Sequence, residues 1–177
     1  MRIIAGEFRS RVLKTLPGMD LRPTSDRLRE TLFNILGVAV RDSVFVDCYA
    51  GTGAVGLEAL SRGASQAIFL EKAKDPLRVL HQNIGAFAVK SKSLVFEGPA
   101  AKNLHKVAAG ATIIFLDPPY AEAKEYQATL ETLAESGTGA LIVAEHASRV
   151  VLPVPLGLAC IRVKRQGDSA LSFFQLH

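Results

Sequence analysis

The chain has 177 residues and a mass of 19.0 kDa, which favours one compact domain with little room for a second. Hydrophobic residues make up 49% of the sequence and charged residues 21%, a balance that excludes a disordered or fibrous chain. The net charge of +4 is unevenly spread, because residues 1–35 and 149–177 each sum to +3 and the segment between them sums to −2. Two basic ends suit a polyanionic partner such as nucleic acid, although ordinary solvated charge explains the same counts.

Cysteine usage and hydropathy indicate a cytoplasmic protein. Cys48 and Cys160 lie far apart, with neither C-x-x-C spacing nor a nearby histidine pair, so we expect neither a disulfide framework nor a metal site. The longest strongly apolar stretch, residues 150–161, contains two prolines and falls short of the roughly 20 residues that a membrane span needs. The first eight residues are too few and too charged for a signal peptide. We therefore expect a reducing, cytoplasmic location with no membrane partner.

The N-terminal region predicts a short basic β-hairpin. Strand-like patterns cover residues 2–8 and 12–16, separated by an Arg-Ser-Arg turn. We therefore expect one domain that consists of a hairpin extension over residues 1–20 and a core over residues 21–177.

A helix is predicted next, followed by alternating strands and helices. Its N-cap candidates are the polar residues 24–26, and Gly37 is expected to end it. Short apolar runs then alternate with helical patterns, which is typical of βαβ units around a parallel sheet. At the C-terminus, residues 158–164 and 171–176 flank a Gln-Gly-Asp turn and predict an antiparallel pair at the sheet edge. The five preceding strands are predicted over residues 44–48, 67–71, 93–97, 112–117 and 140–145.

A glycine-rich motif, G-x-G-x-x-G from Gly51 to Gly56, follows the first of these strands. Glycine permits a tight turn and a close approach of the backbone to a ligand. Glu71 ends the next strand 20 residues after Gly51, where a carboxylate can accept the hydroxyl groups of a ribose. The alternative for Glu71 is a solvated strand-end acid beside Lys72. The arrangement fits both a nicotinamide dehydrogenase and a methyltransferase that uses S-adenosylmethionine.

The sequence Asp-Pro-Pro-Tyr, residues 117–120, favours the methyltransferase. It ends the fourth strand, at the edge where ligands bind in α/β sheets, and its two prolines stiffen the loop. Methylating an exocyclic amine on a base requires acceptors for the amine N–H groups, because its lone pair is conjugated into the ring. Asp117 and the Pro118 carbonyl are candidate acceptors, and Tyr120 offers a face for the base. The alternative is a rigid surface turn. The predicted catalytic residues are Asp117, Pro118, Pro119 and Tyr120.

With these motifs in place, the sequence resembles the RsmD family of bacterial methyltransferases, which modify the exocyclic N2 amine of a guanine in small-subunit (16S) ribosomal RNA. The resemblance covers nearly the full length, and the Arg-Pro-Thr segment at residues 22–24 is its most family-specific part. The glycine loop and Asp-Pro-Pro-Tyr are shared more widely among amino-methyltransferases. The matching segments are residues 2–7, 21–27, 29–34, 50–53 and 57–64 and the loop that begins at Asp117.

The resemblance implies a Rossmann-like class I methyltransferase fold, α/β, with a seven-stranded, mostly parallel sheet, an antiparallel last strand and a small N-terminal β-hairpin. It implies S-adenosyl-L-methionine as cofactor and 16S ribosomal RNA as partner, within a small ribosomal subunit or an assembly intermediate. The Thr24 segment would close over the methionine part of the cofactor. The implied RNA-binding residues are Arg2, Arg9, Arg11 and Lys14, and the implied cofactor-binding residues are Thr24, Asp47, Tyr49, Ala50, Gly51, Thr52, Gly53, Glu71 and Gly98. For Arg27 and Arg29, salt bridges to Asp26 and Glu30 remain the alternative to a functional role.

The sequence departs from the family after the third strand. Such enzymes commonly carry an acidic residue there, within Gly-Asp-Ala, that reads the adenine amine. This chain has Pro99 at that position, which offers neither a carboxylate nor an N–H group. Either Glu97 takes its place, or backbone and apolar contacts hold the adenine.

Rival functions remain. A DNA adenine or protein glutamine methyltransferase shares the loop chemistry, but sequence-selective DNA enzymes generally need a recognition domain. The loop disfavours a dehydrogenase, and a non-catalytic RNA-binding module would need only the basic ends. The four histidines form no metal spacing and are expected on the surface or on helices. Glu145 ends the fifth strand and could line the cleft, but it is expected to have a structural role or to support residues that contact the ligand.

Overall fold

The computed structural model describes residues 1–17, 23–119 and 123–177, except for the side chains of residues 23–25 and 123. Five helices and seven strands make up the described part of the chain, joined in places by single 3-10 turns. None of these helices is both long and apolar enough to cross a membrane. In chain order the elements are α1 (Pro23–Leu36), β1 (Val44–Cys48), α2 (Ala54–Ser61), β2 (Gln66–Glu71), α3 (Lys74–Ala86), β3 (Ser93–Glu97), α4 (Ala100–Val107), β4 (Ile113–Leu116), α5 (Ala123–Glu135), β5 (Leu141–Ala147), β6 (Leu158–Gln166) and β7 (Ser169–Leu176).

The strands form one sheet in the order β3-β2-β1-β4-β5-β7-β6. Strands β1 to β5 pair in parallel, whereas β7 runs antiparallel to both β5 and β6. The predicted seven-stranded sheet with an antiparallel C-terminal pair is therefore confirmed. The strand order reverses between β1 and β4, and in open α/β sheets this switch point creates a crevice at the carboxyl ends of the strands.

Two apolar clusters cover the two faces of the sheet, because side chains alternate along each strand. On the front face, α1, α2 and α3 pack against a cluster that contains Phe45, Phe69, Phe115, Val143 and Phe173. On the back face, α4 and α5 pack against a cluster that contains Val46, Ile68, Ile114, Ile142 and Phe174. Both faces are covered, which explains why the strands β1 to β5 are nearly continuous apolar runs in the sequence.

The predicted N-terminal hairpin is present only as a short antiparallel contact, and the strands predicted over residues 2–8 and 12–16 do not form. Arg2 and Val12 form one isolated antiparallel bridge, and turns occupy most of the chain between them. The backbone N–H groups of Ile4 and Ala5 instead donate to the carboxylate of Glu58, at 2.8 and 3.0 Å. Beside the bridge, the N–H of Ile3 donates to the Arg11 backbone oxygen at 3.0 Å and the N–H of Leu13 donates to that of Met1 at 3.1 Å. The N-terminal segment is therefore held both by this short antiparallel pairing and by helix α2.

Candidate functional site

A cavity of about 470 Å³ opens at the carboxyl ends of the parallel strands, beside helix α1. Two predicted residues lie outside what the structure describes: Tyr120 entirely, and Thr24 for its side chain. Gly53 belongs to the loop that forms one wall but is not among the lining residues. The other residues predicted for cofactor binding and catalysis all line the cavity: Asp47, Tyr49, Ala50, Gly51, Thr52, Glu71, Gly98, Asp117, Pro118 and Pro119.

The loop between β1 and α2 forms the first wall. Gly51 and Gly53 have φ angles of +55° and +88°, a region that glycine adopts without strain. A Cβ atom on Gly53 would lie 2.4 Å from Leu80, whereas one on Gly51 would meet nothing within 4 Å. Gly53 is therefore required both for its backbone conformation and for close packing on α3, and Gly51 keeps the loop open towards the cavity.

The carboxylate of Glu71 is fixed at this wall by backbone hydrogen bonds. Its Oε2 accepts from the N–H of Gly51 at 2.8 Å. Its Oε1 accepts from the N–H groups of Lys72 and Ala73, at 2.8 and 2.7 Å. A carboxylate has about four acceptor positions, so about one remains for a ligand. Glu71 is thus an oriented acceptor rather than a solvated strand end.

Asp47, at the end of β1, is a buried carboxylate that lines the cavity. Its Oδ2 accepts a hydrogen bond from the N–H of Gly56 at 2.9 Å. Burial raises the pKa of Asp47 to about 7, with a smaller contribution from the nearby charge of Glu71, although the bond from Gly56 opposes this shift. A cation placed in the cavity would favour the charged form of this carboxylate.

Tyr49 connects the glycine loop to helix α5. Its hydroxyl donates to Glu125 at 3.0 Å and shares a hydrogen bond of 2.7 Å with Thr129. Lys72 also contacts Glu125, at 3.3 Å. Burial raises the pKa of Tyr49 well above its ordinary value. Glu125 and Thr129 were not predicted, since nothing in their spacing in the sequence links them to a residue almost 80 positions earlier.

The loop after β4 forms the second wall. Asp117 is half-buried, Pro118 is buried and Pro119 is exposed, and all three line the cavity. Asp117 follows β4, whose neighbours in the sheet are β1 and β5. The Asp117 loop and the glycine loop therefore line the same cavity.

The residues that line the cavity near Glu71 distinguish two ways of holding an adenine ring: by the Glu97 carboxylate, or by backbone and apolar contacts. Gly98 and Ala100 line the cavity, whereas Glu97 is exposed and is not among its lining residues. The N–H of Gly98 donates to the backbone oxygen of Glu71 at 2.9 Å. Among the described residues, backbone and apolar groups are therefore better placed than Glu97 to contact a ring there.

Arg29 lines the cavity, which was not predicted from the sequence. Its Nη2 donates to the Arg2 backbone oxygen at 2.6 Å and to Asp26 at 3.2 Å, and its Nε lies 3.7 Å from Glu58. Burial lowers the pKa of Arg29, and the two carboxylates oppose that shift. The salt-bridge alternative is therefore confirmed for Arg29, whose i,i+3 spacing to Asp26 was its sequence signal. Glu145 also lines the cavity.

The N-terminal basic residues are exposed, but they do not line the cavity. Arg11 donates to the Ala86 backbone oxygen at 2.6 Å, and its guanidinium lies 4.3 Å from the ring centroid of Phe87. Lys14 contacts Gln82 at 3.4 Å. Arg11 and Lys14 thus lie along helix α3.

The histidines and acids of the described segments form no group that could hold a metal ion. His146 differs from the predicted surface or helix position, because it is buried in β5. Its Nε2 shares a hydrogen bond of 2.7 Å with Ser172, and burial lowers its pKa. His146 therefore has a packing role in the sheet.

Comparisons with known proteins identify related sequences and structures. The profile of the family described as Conserved hypothetical protein 95 matches residues 1–175. Ribosomal RNA small subunit methyltransferase D of Escherichia coli (strain K12) is 35% identical over 99% of this chain and 89% of its own length. YlbH of Bacillus subtilis (strain 168) is 34% identical over 99% of this chain and 98% of its own.

Solved structures share the fold. That of yhhF from Escherichia coli is 36% identical, has a TM-score of 0.85, and is matched over 100% of this chain and 98% of its own. The predicted class I methyltransferase fold is thereby confirmed. The chain therefore belongs to the Conserved hypothetical protein 95 family, the RsmD family of S-adenosylmethionine-dependent methyltransferases of small-subunit ribosomal RNA.

Proposed function

We propose that the protein methylates the exocyclic N2 amine of a guanine in 16S ribosomal RNA by direct in-line transfer from S-adenosyl-L-methionine. One observation carries the proposal: a single cavity has the Glu71 carboxylate and the glycine loop on one wall and the Asp117 loop on the other. The family supports it, since the Escherichia coli relative is named a ribosomal RNA small subunit methyltransferase.

The cavity fits the proposed cofactor in size and in chemistry. Its volume of about 470 Å³ lies in the range of small-molecule sites, roughly 300–1,000 Å³. Glu71 offers an oriented acceptor for a ribose hydroxyl, and buried Asp47 offers a carboxylate that a cationic group would stabilise in its charged form. S-adenosyl-L-methionine supplies a methyl group already activated on a sulfonium. The proposed binding residues are Thr24, Asp47, Tyr49, Ala50, Gly51, Thr52, Gly53, Glu71 and Gly98.

The Asp117 loop orients the amine in this proposal. The Asp117 carboxylate and the Pro118 carbonyl accept its two N–H groups, which brings the nitrogen lone pair out of conjugation with the ring. Tyr120 stacks on the base, a contact that contributes about 1–3 kcal/mol. The proton that the amine loses passes to Asp117 or to water. The protein mainly holds donor and acceptor at about 3–3.5 Å, in line.

The RNA supplies part of the specificity. A guanine must be splayed out of its stack to enter the cavity, which costs a few kcal/mol. A partly assembled small subunit in the cytoplasm, with this base already unstacked, would lower that cost and is the proposed substrate. Arg2, Arg9, Arg11 and Lys14 are proposed to contact RNA phosphates.

Transfer of a labelled methyl group tests the proposal. Small ribosomal subunits, naked 16S ribosomal RNA, double-stranded DNA and a glutamine-containing protein substrate are each incubated with the protein and labelled S-adenosyl-L-methionine, and the modified nucleotide is mapped. We expect label on one guanine N2. Label on adenine N6 of DNA or on glutamine, with none on RNA, would overturn the proposal.

A further inference from the structure

The outermost strand, β6, changes the face that it presents part of the way along. Leu158, near its start, belongs to the back cluster, so strict alternation would place Cys160, Arg162 and Lys164 on the back face too. A bulge interrupts the alternation between Cys160 and Arg162. A bulge adds one residue to one strand of a pair, and it therefore turns the following side chains to the other face.

The pairing with β7 shows the result. Arg162 lies opposite Phe173, which belongs to the front cluster, and its guanidinium is 5.8 Å from that ring centroid. Lys164 lies opposite Leu171, also of the front cluster, whereas Arg165 lies opposite Ala170 and faces the back. Two exposed cations, Arg162 and Lys164, thus form a strip on the front face, here named the β6 strip.

The β6 strip lies beside the cavity. Lys164 pairs with Leu171, and Leu171 pairs with Glu145, so the three residues form one row across three strands. Leu171 and Glu145 both line the cavity. Adjacent strands are about 4.8 Å apart, which places the Lys164 backbone about 10 Å from that of Glu145.

Helix α1 contributes a further cation at the same margin. Thr31 of α1 donates to Gln166 at the end of β6, at 2.6 Å. Arg27, one turn earlier on the same side of α1, is exposed. Four acids lie nearby among the described residues. Glu145 lies in the same row as Lys164, and Asp26, next to Arg27, pairs with Arg29. Glu30 lies about 100° around the helix from Thr31, and Asp168 is at the tip of the hairpin turn.

We propose that the β6 strip, with Arg27, binds RNA phosphates next to the nucleotide that enters the cavity. This inference rests on the proposed function, which requires a base to be splayed from an RNA strand. A splayed nucleotide stays joined to its neighbours, so their phosphates must lie close to the cavity mouth. The β6 strip is exposed, positively charged and on the cavity's face of the sheet, and β6 is an edge strand. Arg11 and Lys14, along α3, lie outside the cavity lining.

The double variant Arg162→Gln/Lys164→Gln tests this surface. We expect binding to 16S ribosomal RNA to weaken by about tenfold and the slope of log affinity against log salt to fall by about 1.5, as for two lost phosphate contacts. Affinity for S-adenosyl-L-methionine should not change. The matched control is Lys90→Gln/Lys92→Gln, which removes two exposed cations before β3, at the opposite edge of the sheet.

A second pair of variants compares neighbouring residues. Lys164→Gln and Arg165→Gln each remove one cation from β6, on the front and back face respectively. Of these two variants, only Lys164→Gln should weaken RNA binding. The Lys164→Gln variant also leaves the contact between Arg162 and Phe173 intact, so it tests the surface even if Arg162→Gln disturbs that contact.

Equal effects of front-face and control variants would overturn the inference and would show that only total charge matters. Binding is measured separately from methyl transfer, so an inactive wild-type protein would contradict the proposed function without affecting this comparison.

Discussion

Two buried carboxylates lie in different regions of the molecule and have opposite environments. Glu58, in helix α2, lies within ion-pair distance of both Arg29 and Arg62. Asp47, at the end of β1, accepts one hydrogen bond from Gly56, and no lysine or arginine of the described segments pairs with it. Burial raises the pKa of Asp47 to about 7. A buried carboxylate between cations serves the fold, whereas one without a cation is available to a cationic ligand.

Removing the charge of Glu58 should have the largest effect on stability. In Glu58→Gln, the guanidiniums of Arg29 and Arg62 lose their shared partner, and breaking a buried ion pair costs about 3–5 kcal/mol. Urea denaturation would measure this loss. The matched control is Asp75→Asn, because Asp75 and Arg78 form an ion pair at 3.8 Å with both side chains more than 60% exposed. The control should change stability by about 1 kcal/mol or less. Equal losses in both variants would contradict the structural role of Glu58.

Asp117→Asn should reduce activity and leave stability unchanged, whereas Glu58→Gln should reduce stability. The variant retains the shape of the loop but replaces one acceptor for the amine with a donor. Methyl transfer should fall by about 10²–10³-fold, the size of effect seen when one oriented polar contact to a transition state is lost. Affinity for S-adenosyl-L-methionine and the thermal midpoint should match those of the wild type. Turnover close to the wild-type rate would remove Asp117 from the reaction.

Asp47→Asn should stabilise the ligand-free protein while weakening cofactor binding. The pKa of Asp47 rises from 3.8 to about 7 on folding. Between these two pH values, the carboxyl group of the folded protein therefore keeps its proton, whereas that of the unfolded protein has lost it. Wild-type stability therefore falls as pH rises from about 4 to about 7, and the loss is complete above pH 7. Asparagine avoids this loss, so the variant should be more stable by about 2–4 kcal/mol at pH 8 and no more stable near pH 4.

Two measurements check the Asp47 prediction. Urea denaturation at pH 4 and pH 8 should show the difference between variant and wild type growing with pH. Titration calorimetry should show S-adenosyl-L-methionine affinity about tenfold weaker in the variant at pH 8. A variant that is less stable than the wild type at both pH values would show that the carboxylate is compensated in the fold, as Glu58 is.

The sequence predicted the cavity walls better than the contacts that join distant segments. Glu71 and Asp117 follow recognisable strands, and the carboxyl ends of parallel strands meet at one edge, so their positions follow from local patterns. Glu58 could not be found in this way, because its partners Ile4 and Ala5 lie more than 50 residues earlier and contribute only backbone groups. The same contacts explain why the N-terminal pairing does not continue past Ile3 into the predicted strands.

The sequence also does not show on which face of the sheet Lys164 of β6 lies. Strict alternation from Leu158 places Lys164 on the back face, and only the pairing with β7 reveals the bulge that moves it to the front. Cys160, Ile161 and Arg162 carry no glycine or other bulge signal. A prediction from sequence therefore gives the correct strand but the wrong side chains beside the cavity.

Tyr49→Phe should produce the smallest effects on stability and activity, and it tests whether Tyr49 serves the fold alone or also the reaction. Tyr49 has a φ of +124°, an uncommon conformation for a residue with a side chain, and its hydroxyl bonds to Glu125 and Thr129 of α5. Phenylalanine keeps the ring in the cavity wall but loses these bonds, so stability should fall by about 1 kcal/mol. Since α5 follows the Asp117 loop, kcat should fall with little change in the KM for S-adenosyl-L-methionine. Thr129→Val is the control, because it removes one of the two partners and leaves the bond to Glu125. An unchanged kcat in Tyr49→Phe, with the expected loss of stability, would assign Tyr49 to the fold alone.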